Sequence, residues 1–344
     1  MASTTWDSEI VGLDYSDDHV LRAPSLRFAV SPNPHACGVS SRDTEDGRRL
    51  IAAVDAALVL RAGSDVEDLE INFVYGSSMN TYSYGGGYMF CHGHAADITP
   101  EHVAAWLRFA ETRVTGCFTL AMPAPPRRRF GRAATAVRKL SAELPASARA
   151  AAMSLDMADA ALAIPVPTAG AFHALTDLQL SHARVEPGGA DERNLGDLLS
   201  ASFCPRPRRL RLEGITGLAA LQLRAAAALE EVRLDYVEDL TALELDAPGL
   251  RELHVARCFE LAERGSTARI SAPALETLAW AEVCRPEGLQ LDRACGGWTK
   301  SSSGLMLLTR TGTPGHWGYC GNAPPRTASA WTYRPYCPIR FAFN

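Results

Sequence analysis

From Leu175 onward the apolar positions of the chain repeat as L-x-x-L-x-L, with conservative replacements. The copies are Leu175-x-x-Leu178-x-Leu180, Pro207-x-x-Leu210-x-Leu212, Leu218-x-x-Leu221-x-Leu223, Leu229-x-x-Val232-x-Leu234, Leu240-x-x-Leu243-x-Leu245, Leu250-x-x-Leu253-x-Val255 and Leu275-x-x-Leu278-x-Trp280. One copy carries no information; a dense run of them does. Each L-x-L core has the period of a β-strand, so its two apolar residues face one way and the residue between them faces the other. The residue three positions before the core is expected to pack where the chain turns into the strand. A single unit of this size cannot bury its own apolar face, whereas stacked units share a continuous core.

Leu210, Val232 and Leu253 are 22 and 21 residues apart, a leucine-rich-repeat length, and Leu221 and Leu243 fall midway between them. Each coil then holds two strands, one on each side, with little room for a helix. Upstream the coils are longer and admit helices. Thr99-Pro-Glu predicts a helix start, with a cap, a proline and an acid in the first turn. Its apolar stripe is Val103, Trp106, Leu107 and Ala110. A second helix is expected from about Arg49 to Arg61, with Ile51, Val54, Leu58 and Val59 inward and Gly63 as its stop. A third, short one is expected over Asn194 to Ser202. Strands are expected over residues 69–74, 117–120 and 153–157. The fold class is α/β: an irregular leucine-rich-repeat solenoid of short parallel strands with few helices. It is expected to occupy residues 48–292, with loop insertions at 76–97 and 123–139. Residues 1–47 are expected to be irregular or disordered, and 293–344 to be a basic, non-repeat, disordered tail.

Composition narrows the function. The chain has 344 residues, 47% of them apolar and 21% charged, which excludes wholesale disorder. Its formal net charge of −5 argues against a general nucleic-acid-binding role. No apolar run reaches the roughly 18 residues of a membrane-spanning helix, and Met1 to Asp14 lacks the basic start and apolar core of a secretory signal. The 9 cysteines are odd in number and include no C-x-x-C pair. A reduced protein of the cytoplasm or nucleus is expected, its thiols acting as small buried hydrophobes.

Several stretches resemble the grass F-box/leucine-rich-repeat proteins. The most specific are Cys258-Phe259, Ile270-Ser-Ala-Pro-Ala-Leu-Glu-Thr-Leu-Ala-Trp280 and Gly288-Leu-Gln-Leu291. The helix at 99–113 with Val114 to Leu120, and Leu144-Pro ahead of Met153, are similar as well. The resemblance covers about residues 48–292. It implies a substrate receptor of a cullin–RING ubiquitin ligase, in which repeats hold the target and an N-terminal F-box holds the Skp adaptor. The chain departs from the family twice. No F-box pattern precedes Arg48, so adaptor and cullin are expected as partners only if an F-box lies upstream; without one, the chain reads as a stand-alone or truncated interaction module. After Asp292 the repeats stop, and Arg293 to Asn344 holds six basic residues and no acid.

Candidate chemistry is sparse. Cys91-His-Gly-His94 is a metal-like cluster, yet its nearest further candidates, His102 and Cys117, do not supply the second ligand pair that zinc requires. Gly85-Gly-Gly87 lacks the Lys-Ser/Thr of a phosphate loop, and no cysteine stands out as a nucleophile. No catalytic, metal or cofactor site is therefore assigned, and no enzyme is expected. Arg127-Arg-Arg-Phe-Gly-Arg132 with Arg138-Lys139 is a basic cluster whose plain reading is a solvated loop. The strand residues that face outward remain: Asp177, Gln179, Arg209, Arg211, Glu213, Glu231, Arg233, Asp235, Glu252 and His254. They predict a ladder of mixed charge with Arg209, Arg211 and Arg233 at its centre. Arg209, Arg211, Glu213, Arg233, Asp235 and His254 are the expected protein-binding residues, toward a target the sequence does not name.

Overall fold

The computed structural model describes residues 23–29, 41–73, 98–122, 140–166, 168–186, 195–224, 226–259, 265–281, 288–291, 305–310 and 317–318. The strands are β1 (Ser25–Ala29), β2 (Asp68–Asn72), β3 (Cys117–Ala121), β4 (Ser141–Glu143), β5 (Ala152–Ala163), β6 (Asp177–Val185), β7 (Arg209–Glu213), β8 (Ala220–Leu223), β9 (Glu231–Asp235), β10 (Ala242–Asp246), β11 (Glu252–Ala256), β12 (Thr267–Ser271), β13 (Thr277–Ala281), β14 (Gly288–Leu291), β15 (Leu305–Arg310) and β16 (Trp317–Gly318). The helices are α1 (Ser41–Leu60), α2 (Pro100–Arg113) and α3 (Leu195–Leu198). The architecture is α/β, with mostly parallel strands and few helices.

A 12-stranded sheet runs in the order β1-β2-β3-β5-β6-β7-β9-β11-β13-β15-β16, with β4 beside β5, and a 4-stranded sheet runs β14-β12-β10-β8. From β7 to β14 the chain therefore alternates between the two sheets. Upstream, α1 and α2 provide the crossovers that parallel neighbours need.

Register explains why the L-x-L cores recur. One inward row runs Leu26, Leu69, Phe118, Met153, Leu178, Leu210, Val232, Leu253, Leu278 across successive strands. The next runs Phe28, Ile71, Leu120, Leu155, Leu180, Leu212, Leu234, Val255, Trp280. All of these side chains are buried, and they belong to one contiguous core that also takes in Leu221, Leu223, Leu243 and Leu245 of the second sheet. The residues ahead of each strand, Leu175, Leu218, Leu229, Leu240, Leu250 and Leu275, are buried too. Each sits at the entry to its strand, and this placement gives the longer L-x-x-L-x-L period its physical meaning.

Helix α2 starts as its sequence predicts. Thr99 is the N-cap, Pro100 follows, and Val103, Trp106, Leu107 and Ala110 are buried. The reciprocal capping partner is a histidine rather than the usual Glu or Gln: Thr99 N–H donates to His102 Nδ1 at 3.2 Å, and His102 N–H donates to Thr99 Oγ1 at 3.4 Å. His102 is thus committed to a cap. Its ring stacks on Trp106, which stacks on Phe73, and Trp106 Nε1 donates to Asp55 Oδ1 at 2.9 Å. These contacts lock α2 onto α1.

The structure differs from the sequence reading in several places. Helix α1 begins at Ser41. Its inward side chains are Leu50, Ile51, Val54, Ala57 and Leu58, whereas Val59 is 75% exposed. The 3.6-residue period carries Val59 about 100° past Leu58 and out of the stripe. Gly63 follows the helix in a turn without positive φ, so it is not the left-handed stop expected. The segment expected to be irregular, 1–47, contributes β1 to the sheet, paired parallel to β2. Within the expected disordered tail, β15 lies antiparallel on β13 and β16 on β15. Without β15, β13 would end the sheet in an open edge, which accepts a further strand. Strand β5 is longer than expected, with a register shift against β6 between Asp156 and Ala160. The insertions at 76–97 and 123–139, with Cys91, His94 and the basic cluster at 127–139, lie outside the described residues.

Candidate functional site: the outward face of the long sheet

The side chains that alternate with the buried rows form three outward rows. One runs Asp177, Arg209, Glu231, Glu252, Thr277. The middle row runs Gln179, Arg211, Arg233, His254, Ala279, and the third Ser181, Glu213, Asp235, Ala256, Ala281. Every residue expected on this face is on it. Their grouping is different from the one the sequence suggested. Arg209 is not part of the central basic run. Its Nε reaches Asp177 on the neighbouring strand at 2.7 Å. The central run is Arg211, Arg233 and His254, between two rows rich in carboxylates.

Local pairing removes part of this charge from play. His254 Nε2 lies 2.9 Å from Asp235 Oδ1, a diagonal contact for which the small Ala256 beside Asp235 leaves room. Arg211 and Glu213 are engaged by neighbouring groups. Arg233 differs: its Nε is buried and has no hydrogen-bond partner among the described residues. Glu231 and Glu252 likewise form no ion pair among the described residues. Beside them, where β13 offers only Thr277 and Ala279, the face steps down into a depression of about 100 Å³, lined by Glu231, Arg233, Glu252 and His254 over Val232 and Leu253.

The opposite sheet offers a comparison. Its outward row is Gln222, Glu244, Arg269, Gln290. Glu244 lies 3.8 Å from Arg224 and 3.9 Å from Arg269, and Arg269 Nε donates to Gln290 Oε1 at 3.3 Å. In that row Glu244 and Arg269 offset each other, whereas Glu231 and Glu252 on the long sheet's face form no ion pair among the described residues.

The upper border of the face is a column of left-handed corners that sequence reasoning missed. The residue after the third outward position has positive φ in successive strands: His182 (47°), Gly214 (61°), Tyr236 (54°) and Arg257 (55°). The N–H groups of Gly214, Tyr236 and Arg257 donate to the carbonyls of Asp235, Ala256 and Ala281 on the next strand. Three of the four residues carry side chains, at about 1 kcal/mol or more of backbone strain each. The available signal was a constant offset from L-x-L, but no glycine or asparagine repeat marks it. The side chains interlock. Arg257 stacks 4.8 Å from the Tyr236 ring centroid and donates to its hydroxyl. Gly214 must lack a side chain, because a Cβ there would sit 2.8 Å from the His182 ring.

His182 Nδ1 lies 3.2 Å from Asp156 Oδ1. The hydrogen bond to Asp156 raises the His182 pKa; partial burial opposes this, and the charges of Asp156, Glu213 and Asp159 add to the rise. A raised folded-state pKa gives a contribution to stability that is complete below the unfolded value of about 6.5 and is lost as pH rises through the folded value. We expect the urea midpoint to fall as pH rises above about 6.5, and the fall to be shallower in His182→Asn, since asparagine tolerates positive φ. Parallel pH profiles for the two proteins would refute the assignment.

The described thiols are poor nucleophiles. Burial pushes Cys204 up to about 11 and also raises Cys117, and Cys258 is buried. No helix among the described residues is long and apolar enough to cross a membrane. Comparison of the chain with protein-family models, with curated proteins and with solved structures finds no match.

Proposed function

We propose that the chain is a leucine-rich-repeat solenoid that binds a protein target on the outward face of its long sheet, as the target-holding part of an F-box ubiquitin-ligase receptor does. The observation that carries the reading is the continuous pairing of the long sheet from β1 to β13, whose two buried rows keep one register throughout. It aligns a charged face on which Glu231 and Glu252 form no ion pair, and Arg233 Nε no hydrogen bond, among the described residues, while Glu244 and Arg269 of the opposite sheet pair with each other. Unsatisfied charge held on rigid strands is suited to selecting a complementary surface, and arginine is a frequent anchor at interfaces. The free thiols of Cys117, Cys204 and Cys258 suit the reducing cytoplasm or nucleus.

The ligase role rests on the resemblance described above. Co-purification with a Skp adaptor tests it, and no association at micromolar concentration removes it. A second reading, a stand-alone interaction module, is favoured by β1: part of the segment ahead of Arg48 is committed to the sheet. For either reading, Arg211→Glu combined with Arg233→Glu is expected to abolish target binding while the circular dichroism spectrum stays unchanged. Retained binding would move the site to another face.

A further inference from the structure

We propose that the depression between β9, β11 and β13 is the anchor point of this face. It takes an extended partner segment that places a basic side chain between Glu231 and Glu252 and an acidic side chain, two positions away, on Arg233. The proposal rests on the reading of the outward face as a protein-binding surface and adds the chemistry of what is bound.

Which charges are left over decides the location. Arg209 is held by Asp177 and Asp235 by His254, and on the other sheet Glu244 lies between two arginines. Glu231, Arg233 and Glu252 have no such partner among the described residues, and all three line the same depression. The depression exists because the outward residues shorten along the rows, from Glu252 to Thr277 and from His254 to Ala279. Side chains as long as their neighbours on β13 would fill it.

Geometry decides the occupant. Glu231 and Glu252 are register partners on adjacent parallel strands, so their backbones are about 4.8 Å apart. Two carboxylates side by side repel each other. A guanidinium or ammonium group placed between them removes the repulsion and donates charge-assisted hydrogen bonds to both. Arg233 lies two residues along β9 from Glu231, about 6–7 Å away. Its guanidinium is partly withdrawn from water, with Nε buried and unpartnered among the described residues, and an incoming carboxylate at its exposed edge offsets the charge. An extended segment spaces its own side chains i and i+2 by the same distance on one face. The complement is therefore a Lys or Arg two positions from an Asp or Glu. A uniformly acidic partner would meet Glu231 and Glu252, and a uniformly basic one would leave Arg233 unpaired and repelled.

The test is selection of random heptapeptides displayed on phage against the purified full chain, followed by titration of an enriched synthetic peptide by fluorescence anisotropy. Peptides carrying the basic–x–acidic pair, in either direction, are expected to be enriched. Glu231→Gln with Glu252→Gln is expected to weaken the peptide about tenfold or more and to abolish discrimination against replacing its basic residue. Arg233→Gln should do the same for its acidic residue, while Arg269→Gln on the opposite sheet leaves binding near the wild-type value. No enrichment of such pairs, or binding indifferent to Glu231, Glu252 and Arg233, overturns the proposal. If enriched peptides depend on Arg211 alone, the anchor point falls and the docking face stands; if they depend on none of these residues, both fall. Unchanged urea midpoints in the variants show that the loss is not one of folding.

Discussion

Leu234→Ala is expected to lower unfolding stability by about 2–5 kcal/mol, read as a drop in the urea midpoint. Leu234 is 0% exposed, and its register neighbours Leu212 and Val255 are equally inaccessible. Truncation removes transfer free energy and leaves a hole that rigid strands on either side cannot close. The cost belongs at the upper end of the range for this reason. A parallel sheet fixes the spacing of its neighbours through backbone hydrogen bonds, so the row cannot collapse sideways into the space. Val59→Ala, on the 75% exposed helix position, should stay within about 0.5 kcal/mol and serves as the control. A loss below about 1 kcal/mol for Leu234→Ala would show that the row is not a close-packed core.

Gly196→Ala is expected to be as damaging without removing anything. Gly196 lies in α3, and a Cβ added there would sit 1.8 Å from the carbonyl oxygen of Gln222 and 2.7 Å from its carbon. Both are backbone atoms of β8, the edge strand of the second sheet, so no side chain can rotate away. The helix must lift off the strand, uncovering Leu195 and Leu198, which are buried beside it. We expect a loss at or above the upper end of the about 1–3 kcal/mol typical of overpacking. Gly63→Ala is the contrasting control. A Cβ there meets nothing within 4 Å and its φ is not positive, so a gain of about 0.4–1 kcal/mol is expected from the stiffer unfolded chain. Equal midpoints for the two alanine variants would show that α3 does not press on β8.

Much of the inner surface was legible in the primary structure. The L-x-L cores, the second-sheet strands that fall midway between those of the long sheet, and the cap and stripe of α2 follow from periods of 2 and 3.6, which are local properties of the backbone. Errors arose where the period was marginal. Val59 sits one residue beyond a stripe, and β1 has the same pattern, Leu26-x-Phe28, as a single copy among prolines.

The outward residues were also legible as a set, because whatever faces away from the core follows from what faces in. Their partners were not. Arg209 meets Asp177 across 32 positions of sequence, and Asp235 meets His254 across 19. These pairings exist only once parallel strands stack in register. The same holds for the left-handed corners, whose hydrogen bonds end on the following strand, and for β15, which joins the sheet beside β13. Sequence alone therefore determined which side chains are hidden and which are displayed, since alternation along a strand needs no knowledge of its neighbours. Tertiary structure alone decided which displayed charges pair and which, at Glu231, Arg233 and Glu252, form no ion pair among the described residues, since Coulomb energy depends on distance in space and the chain sets that distance only by folding.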